Sequence, residues 1–502
     1  MSEKSNTSTK MEAGQLDERT QESQVYLDSE FVEKPFTIWT AMGLGHSITN
    51  TAVGMIVGLG NGLPFGGPPV IFWGFLTMAC VGLCIAISLG ELSSAFPHSG
   101  GQYYWVGTMA PPSMRRFCSY MTGILSFASA LCVTASINIV VTQQVIAMIT
   151  LANPDFPNHP WIVFVGYQLA NLLAAGFNFF GKSLSWVSKA LLIYTPCIVF
   201  TVFVACLAGR HEKQPADAIF LEVTSVSGWP TGLAFIIGFN PSAWSFSCLD
   251  AATHLADEIP QPQKNIPKAL LCTVALGFVT GLPIILSLLF SAVDLDALSS
   301  VTAPSLEIFR QVYQSDKVAI ILSSLVVLSA WGATIGSQTW QSRIAWAFAK
   351  DKGFPFHSRL GSVAGKPFLA PIWAHVWSSI LCAILGCLYL ASDLAFNSLV
   401  AGGILFQYIT YSASICCLLY VGRSNITPGP FWFPRLGLIA NLVVLAWSLV
   451  SVVLFCFPYQ FPVLAGSMNY VSVVIAVVVL YAVVYWFLGG RKVFTITESR
   501  LD

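Results

Sequence analysis

Apolar runs of about 20 residues follow one another along nearly the whole chain, and no other feature constrains the fold as strongly. A run of that length crosses about 30 Å of hydrocarbon at 1.5 Å per residue. Hydrocarbon offers no partner to an open amide or carbonyl, so spanning runs of this kind have to be helices. Composition agrees: 55% of the 502 residues are hydrophobic and 10% are charged, against about 25% charged in soluble domains. The mean hydropathy is +0.69. The expected fold class is an all-α membrane protein with twelve transmembrane helices. They fall near 38–60, 68–96, 117–150, 160–180, 187–208, 229–256, 268–293, 317–347, 371–391, 395–421, 436–457 and 467–488.

Charge then sets the orientation. Sixteen Lys and Arg fall on one side of these spans, among them Arg115, Arg116, Lys189, Arg343, Lys366 and Arg500; Arg210, Lys213, Arg310 and Lys317 fall on the other. Positive charge is retained on the cytoplasmic side, so both termini are expected there. Residues 1–36 are rich in Ser, Thr, Glu and Lys and contain no apolar core. They read as a disordered cytoplasmic tail and not as a cleaved signal peptide; 491–502 form a second tail. The formal net charge is zero and no basic stripe is present, which argues against nucleic acid as a partner. The thirteen cysteines lie mostly within the spans and lack C-x-x-C spacing. They read as apolar fillers, so neither a metal nor a cofactor is expected.

Two spans are interrupted by polar sequence. The first reads MGLGHSITNTAVGMIVGLG from Met42 to Gly60, and the sixth carries FNPSAWSFSCLD from Phe239 to Asp250. Five spans separate them. Interrupted segments at matching positions of two halves point to the solute site of an inverted-repeat transporter. Pro241 lacks an N–H and turns Asn240 away from helical dihedrals, so the sixth helix is expected to break there. Backbone groups freed by a break need partners, and a bound solute with water supplies them.

Around these breaks the chain resembles the fungal amino acid/choline permeases of the amino acid–polyamine–organocation superfamily, and most of all the choline permeases. The resemblance rests on SLGELSSAFPHSGGQYYW (Ser88–Trp105), PSAWSFSCLDAATHLADEIPQPQKNIPKAL (Pro241–Leu270) and TWQSRIAWAFAKDKGFP (Thr339–Pro355). GKSLSWVSK (Gly181–Lys189), GPFWF (Gly429–Phe433) and Met468–Tyr470 match as well. It implies a LeuT-like fold: an inverted 5+5 repeat, about 38–208 and 229–421, plus two extra helices at 436–488. It also implies secondary-active uptake across the plasma membrane, driven by protons. The sequence departs from the choline-permease pattern in having Thr51-Ala52 after Thr49-Asn50, where those permeases tend to carry an aromatic residue. The solute is therefore expected to be choline or a related amine, with 4-aminobutyrate or another amino acid as the alternative.

A quaternary ammonium forms no conventional hydrogen bond and is held by aromatic faces, at about 0.5–2 kcal/mol each. Trp244 and Phe246 are the first candidates, with Trp331, Trp340 and Phe127 behind them. Ser47, Thr49 and Asn50 suit a hydroxyl or carboxylate end, against the alternative that they fasten helices together. With Phe239, Asn240 and the rest of Phe239–Asp250, they form the two expected walls of a substrate site. Asp250 and Glu91 are acids at membrane depth, where a charge costs about 2.5 kcal/mol or more and has to pair, titrate or line a path. Asp250 is expected to carry a proton or act at an inner gate. Glu91 is expected either to couple protons or to close a helix end against Lys189 or Arg115. Asp257 and Glu258 precede Pro260-Gln261-Pro262 and read as solvated. His46 and His254 read as ordinary hydrogen-bonded histidines, and Asn425-Ile426-Thr427 as an unused glycosylation pattern on the cytoplasmic side. Two local breaks instead of a continuous polar stripe weigh against a channel, and no nucleophile–base or metal-ligand constellation suggests an enzyme. The short tails weigh against a nutrient receptor.

Overall fold

A computed structural model describes residues 37–496 except 158, 210, 211, 366, 367, 369, 465 and 467. The tail expected at 1–36, residues 497–502 of the tail expected at 491–502, and the charges Arg210, Lys366 and Arg500 lie outside the described residues; Arg491–Val493 is helical. In chain order the main helices are α1 (Ile38–Thr49), α2 (Thr51–Gly58), α3 (Pro68–Ala95), α4 (Gln102–Met109), α5 (Arg115–Ala152), α6 (Pro160–Asn178) and α7 (Gly181–Ala208). There follow α8 (Thr231–Ile237), α9 (Asn240–Ser245), α10 (Pro262–Ser291), α11 (Pro304–Tyr313) and α12 (Asp316–Lys350). The last four are α13 (Ile372–Ala391), α14 (Asp393–Val421), α15 (Pro434–Leu454) and α16 (Val471–Tyr485). Among the described residues, 11 helices are long and apolar enough to cross a membrane. The expected first span is divided at Asn50 into pieces of 12 and 8 residues, neither of which reaches spanning length by itself.

Helix starts follow local chemistry. Thr37 caps α1 by accepting the Thr40 N–H at 3.3 Å. Proline occupies the first turn of α3, α6, α10, α11 and α15, where its missing N–H costs nothing and its fixed φ suits a helix. Burial then sorts the bundle. In the most apolar stretch of α5, 83% of residues are buried, against 17% in the stretch that contains α16; α5 is the central post and α16 lies at the rim. The most extensive contacts join α5 to α12, α3 to α10, and α5 to α14; α6 also packs on α13. Polar side chains fasten these pairs. Gln338 Nε2 donates to Asn171 Oδ1 at 2.8 Å and Thr339 Oγ1 to Asn178 Oδ1 at 2.6 Å, linking α12 to α6. In lipid such bonds matter because the alternative is an unsatisfied polar group.

Two buried ion pairs correct the sequence expectations. Glu91, near the C-terminal end of α3, pairs with neither Lys189 nor Arg115. It takes a two-pronged contact from Arg423, 2.8 Å from Nη1 to Oε2 and 3.0 Å from Nη2 to Oε1, and accepts the Phe433 N–H at 2.7 Å. The Arg423 guanidinium also lies 4.6 Å from the Trp432 ring centroid. The fork geometry of Arg, and not charge alone, selected the partner. Glu258 is not solvated either. Its side chain and that of Arg343 are each 2% exposed, and Arg343 Nε meets Glu258 Oε1 at 2.8 Å. The proline-rich turn folds Glu258 beneath α12, while Asp257 stays half-buried with its N–H on Ser99 Oγ. Removing one partner of such a pair strands a buried charge, at about 3–5 kcal/mol. Arg423→Gln is therefore expected to lower the unfolding midpoint of the detergent-solubilised protein more than Glu91→Gln/Arg423→Gln does. Equal midpoints for the single and double variants would contradict the buried-pair assignment.

Candidate functional site

The first span is interrupted by a residue in the left-handed region. Asn50 has φ 39° and ψ 47°, a conformation that Asn tolerates better than most residues. Its N–H closes α1 on the His46 carbonyl at 2.7 Å, and its own carbonyl accepts the Gly54 N–H at 2.8 Å to begin α2. The Asn50 side chain holds the break in place. Nδ2 donates to the Ser329 carbonyl at 3.3 Å and to Ser329 Oγ at 3.2 Å on α12. Ser329 Oγ in turn lies 2.7 Å from Thr195 Oγ1 on α7. Asn50 Oδ1 and Thr49 Oγ1 are left buried without a hydrogen-bond partner among the described residues.

The sixth span is interrupted twice, and its open stretch does not fall at Pro241. Pro241 sits in the first turn of α9, and Gly238-Phe239 makes only a tight turn between α8 and α9. The helix opens at Phe246–Cys248, where Cys248 takes φ 64°. Its N–H is satisfied by Gln407 Oε1 on α14 at 2.8 Å. Beyond it the chain resumes as a 3-10 helix, Leu249–Leu255.

A cavity lies between the two breaks. Thr49, Asn50 and Gly54 line it from α1 and α2, and Trp244, Ser247 and Cys248 from the sixth span; Val133, Ile137 and Ala333 are among the apolar residues that complete it. Trp244 is oriented by its Nε1–H, which donates to Ser136 Oγ on α5 at 3.2 Å. Gly54 permits the close approach. A Cβ there would lie 3.0 Å from Ser245 Oγ and 3.3 Å from Trp244 Cζ3. No Asp, Glu, Lys, Arg or His lines the cavity. Polarity comes from the two unpartnered oxygens and from helix ends, the negative end of α1 meeting the positive end of α2 at Asn50. The free volume is about 20 Å³, room for a single water and far short of an organic solute. The bundle is closed around this point.

Of the residues expected at a solute site, Thr49, Asn50 and Trp244 are brought together here. The others are elsewhere. Ser47 Oγ is turned back onto the Leu44 carbonyl at 3.0 Å. Phe239 packs against Phe235 and Trp447, Phe246 packs against Phe75, and Asn240 does not line the cavity. Among the weaker candidates, Trp331 donates to the Ala170 carbonyl, Phe127 stacks edge-on with Phe354, and Trp340 is buried away from the cavity. Ser136, Ser329, Thr195 and Gln407 were not legible as site residues. Each lies in an ordinary span, and only the tertiary fold brings it to a break.

Asp250 occupies a second cluster on the C-terminal side of the break. Tyr411 OH donates to Asp250 Oδ1 at 2.6 Å, Gln102 Nε2 donates to Oδ2 at 3.0 Å, and His254 Nε2 lies 3.5 Å from Oδ2. Tyr411 OH is also 3.2 Å from Gln407 Oε1. The cluster thus runs from the Cys248 N–H at the cavity wall to α4. The reading of His254 as an ordinary hydrogen-bonded histidine missed its place here; its spacing, four residues beyond Asp250, was the available signal.

Comparison with known proteins decides the class. Residues 36–480 match the family model described as amino acid permease. The chain belongs to the amino acid permease family. It is 42% identical over 466 residues to a swainsonine transporter of Arthroderma benhamiae, covering 93% of each chain. It is 40% identical over 489 residues to a choline transporter of Saccharomyces cerevisiae, covering 96% of this chain and 86% of that one. A 7-keto 8-aminopelargonic acid transporter of Saccharomyces cerevisiae is 29% identical over 511 residues, covering 89% and 90%. This permease is accordingly an integral membrane transporter of small molecules, and not an enzyme.

Proposed function

We propose that this permease imports a small nitrogenous cation, choline or a related amine, by proton-driven uptake at the plasma membrane, with the solute held between the two breaks. The observation that carries the reading is the cavity wall itself: Trp244 lines the same space as Asn50 and Thr49, whose Oδ1 and Oγ1 are buried without a hydrogen-bond partner among the described residues. A π-face attracts a cation that cannot hydrogen-bond, and unpartnered oxygens suit its hydroxyl end. Similarity to the choline transporter supports the solute class. A second reading, an amino acid such as 4-aminobutyrate, is favoured by a specific feature: the lining holds a single aromatic ring, a wall and not a cage, and the positive end of α2 suits a carboxylate.

The broken pair Ile38–Gly58 counts as one span in this reading, making twelve with both termini cytoplasmic. The packing of α2 on α9, α3 on α10, α5 on α12 and α6 on α13 supports an inverted repeat of the LeuT-like kind, because each pair joins spans five apart. The 20 Å³ cavity then represents a closed stage of alternating access, and a solute enters when one half rocks against the other. Asp250 is the proposed coupling or gate acid. For Glu91, the Arg423 fork supports a structural role.

Two tests follow. A single cysteine at the exposed Glu222 is expected to react with an impermeant thiol reagent on intact cells, and one at the exposed Lys264 only after permeabilisation, once background thiols are subtracted. The reverse pattern would overturn the orientation. In labelled-choline uptake, Trp244→Leu removes a desolvated cation–π contact of about 2 kcal/mol, or roughly thirtyfold in half-saturating concentration. Trp244→Phe is expected to lose much less. Unchanged apparent affinity in a well-expressed Trp244→Leu protein would remove Trp244 from the site, and uptake of 4-aminobutyrate without choline would select the second reading.

A further inference from the structure

The motif Ser88–Trp105 ends in a loop that the solute site does not use, and its contacts point to a proton site. Ser99 lies under the inner half of the sixth span. Its carbonyl is 2.9 Å from His254 Nδ1, and its hydroxyl accepts the Asp257 N–H at 3.0 Å. Gly101, at φ +56°, brings the backbone flat against the imidazole; a Cβ there would meet His254 Cε1 at 2.9 Å. Gln102, two residues after Ser99's neighbour Gly100, donates to Asp250. One loop therefore holds both members of the Asp250–His254 pair.

The hydrogen-bond arithmetic of this pair is incomplete without one more proton. A carbonyl only accepts, so Nδ1 of His254 has to carry hydrogen towards Ser99. In the neutral ring that leaves Nε2 as a bare lone pair, 3.5 Å from Asp250 Oδ2, and Nε2 has no hydrogen-bond partner among the described residues. A lone pair facing a carboxylate is repulsive. A proton placed between the two atoms turns the contact into attraction. We infer that His254 Nε2 and Asp250 Oδ2 share the proton that this permease moves with its solute, His254 being its seat and the Ser99–Gln102 loop its cytoplasmic latch. The inference rests on the proton-driven reading above.

The link to the cavity is Tyr411. It has a single O–H and two acceptors, Asp250 Oδ1 at 2.6 Å and Gln407 Oε1 at 3.2 Å. With Asp250 ionised, the O–H points to the carboxylate. When the shared proton sits on Asp250, that carboxyl is a weaker acceptor, and the O–H turns to Gln407, whose Oε1 holds the Cys248 N–H in the cavity wall. Protonation below the break and the shape of the break are joined by two hydrogen bonds. The proton enters from one aqueous side onto the pair and leaves it on the other, so the pair returns to its starting state in each cycle.

Among the other ionisable groups around His254, Asp257 and Asp351 are acids that face His98 in the same cluster; the rest are engaged or exposed. Arg343 is held by Glu258 and Glu91 by Arg423. Lys350 lies over the Trp346 ring, His98 is stacked on Tyr104, and Lys264 and Lys268 are exposed. His46 on α1 is the remaining buried imidazole on a packed element.

Two measurements on the full chain in liposomes test this. In 15N-histidine NMR, His254 is expected to carry hydrogen on Nδ1 and to share a proton at Nε2 with Asp250. Its signal is identified as the one missing in His254→Gln. Tyr411→Phe, which removes a donor from Asp250 and leaves His254 untouched, is expected to move the Nε2 resonance of that one among the 7 histidines. A bare Nε2, or a Tyr411→Phe spectrum superimposed on the wild type, would overturn the inference. The second measurement follows proton entry with labelled choline. His254→Gln is expected to exchange internal for external choline while losing the accompanying protons; proton entry at the wild-type ratio would also overturn it. Wild-type choline uptake without protons, or no choline uptake, would instead sink the proton-driven reading, and the NMR would still decide where the proton sits.

Discussion

A polypeptide in hydrocarbon has nowhere to leave an open amide or carbonyl, and the architecture follows from how this chain meets that constraint. Regular helix satisfies nearly all of it. The two places where helix fails, Asn50 and Phe246–Cys248, are buried deep in the bundle and are held by contacts to other spans. Asn50 is anchored on Ser329 and Cys248 on Gln407. An open backbone at these points is affordable only because α5, α12 and α14 enclose it. The same enclosure creates a small cavity between the two breaks.

Charge is handled in the same way. Among the described residues the cavity lining carries no Asp, Glu, Lys, Arg or His, while buried Glu91, Glu258 and Arg343 and the largely buried Arg423 are locked in two ion pairs, Glu91–Arg423 and Glu258–Arg343. Such pairs contribute little net stability over apolar packing but are costly to break. They brace the C-terminal parts of α3 and α12. Asp250 and His254 differ from them. Their other partners are neutral hydrogen-bonding groups, Tyr411, Gln102 and the Ser99 carbonyl.

The spans were legible because their length and apolarity answer directly to the thickness of the membrane, and eleven of them recur as long helices. That both interruptions were local polar stretches was legible too. The position of the second was not. Proline at 241 suggests a break, yet Pro241 sits harmlessly in the first turn of α9, and the backbone opens seven residues later at a cysteine, a residue with no special tolerance of positive φ. Only Gln407, 159 residues away in sequence, explains that conformation. Thr49, Asn50 and Trp244 stood out because they sit beside the breaks. Ser47, Phe239, Asn240 and Phe246 stood out equally, but the side chains of Ser47, Phe239 and Phe246 are turned onto neighbouring groups and Asn240 does not line the cavity. The partners of Glu91 and Glu258 were hidden for a related reason: ion pairing across spans is set by helix packing, not by sequence proximity or by an even side-to-side count of charges.

The central claim is that solute occupies the space between Asn50 and the Trp244 ring. An experimental structure of the full chain with the transported solute bound tests it most directly. The account predicts solute density against the face of Trp244, within hydrogen-bond reach of Asn50 Oδ1 or Thr49 Oγ1, in a cavity expanded from its present volume. Solute density elsewhere in the bundle, with Trp244 still closed onto Gly54, would contradict it.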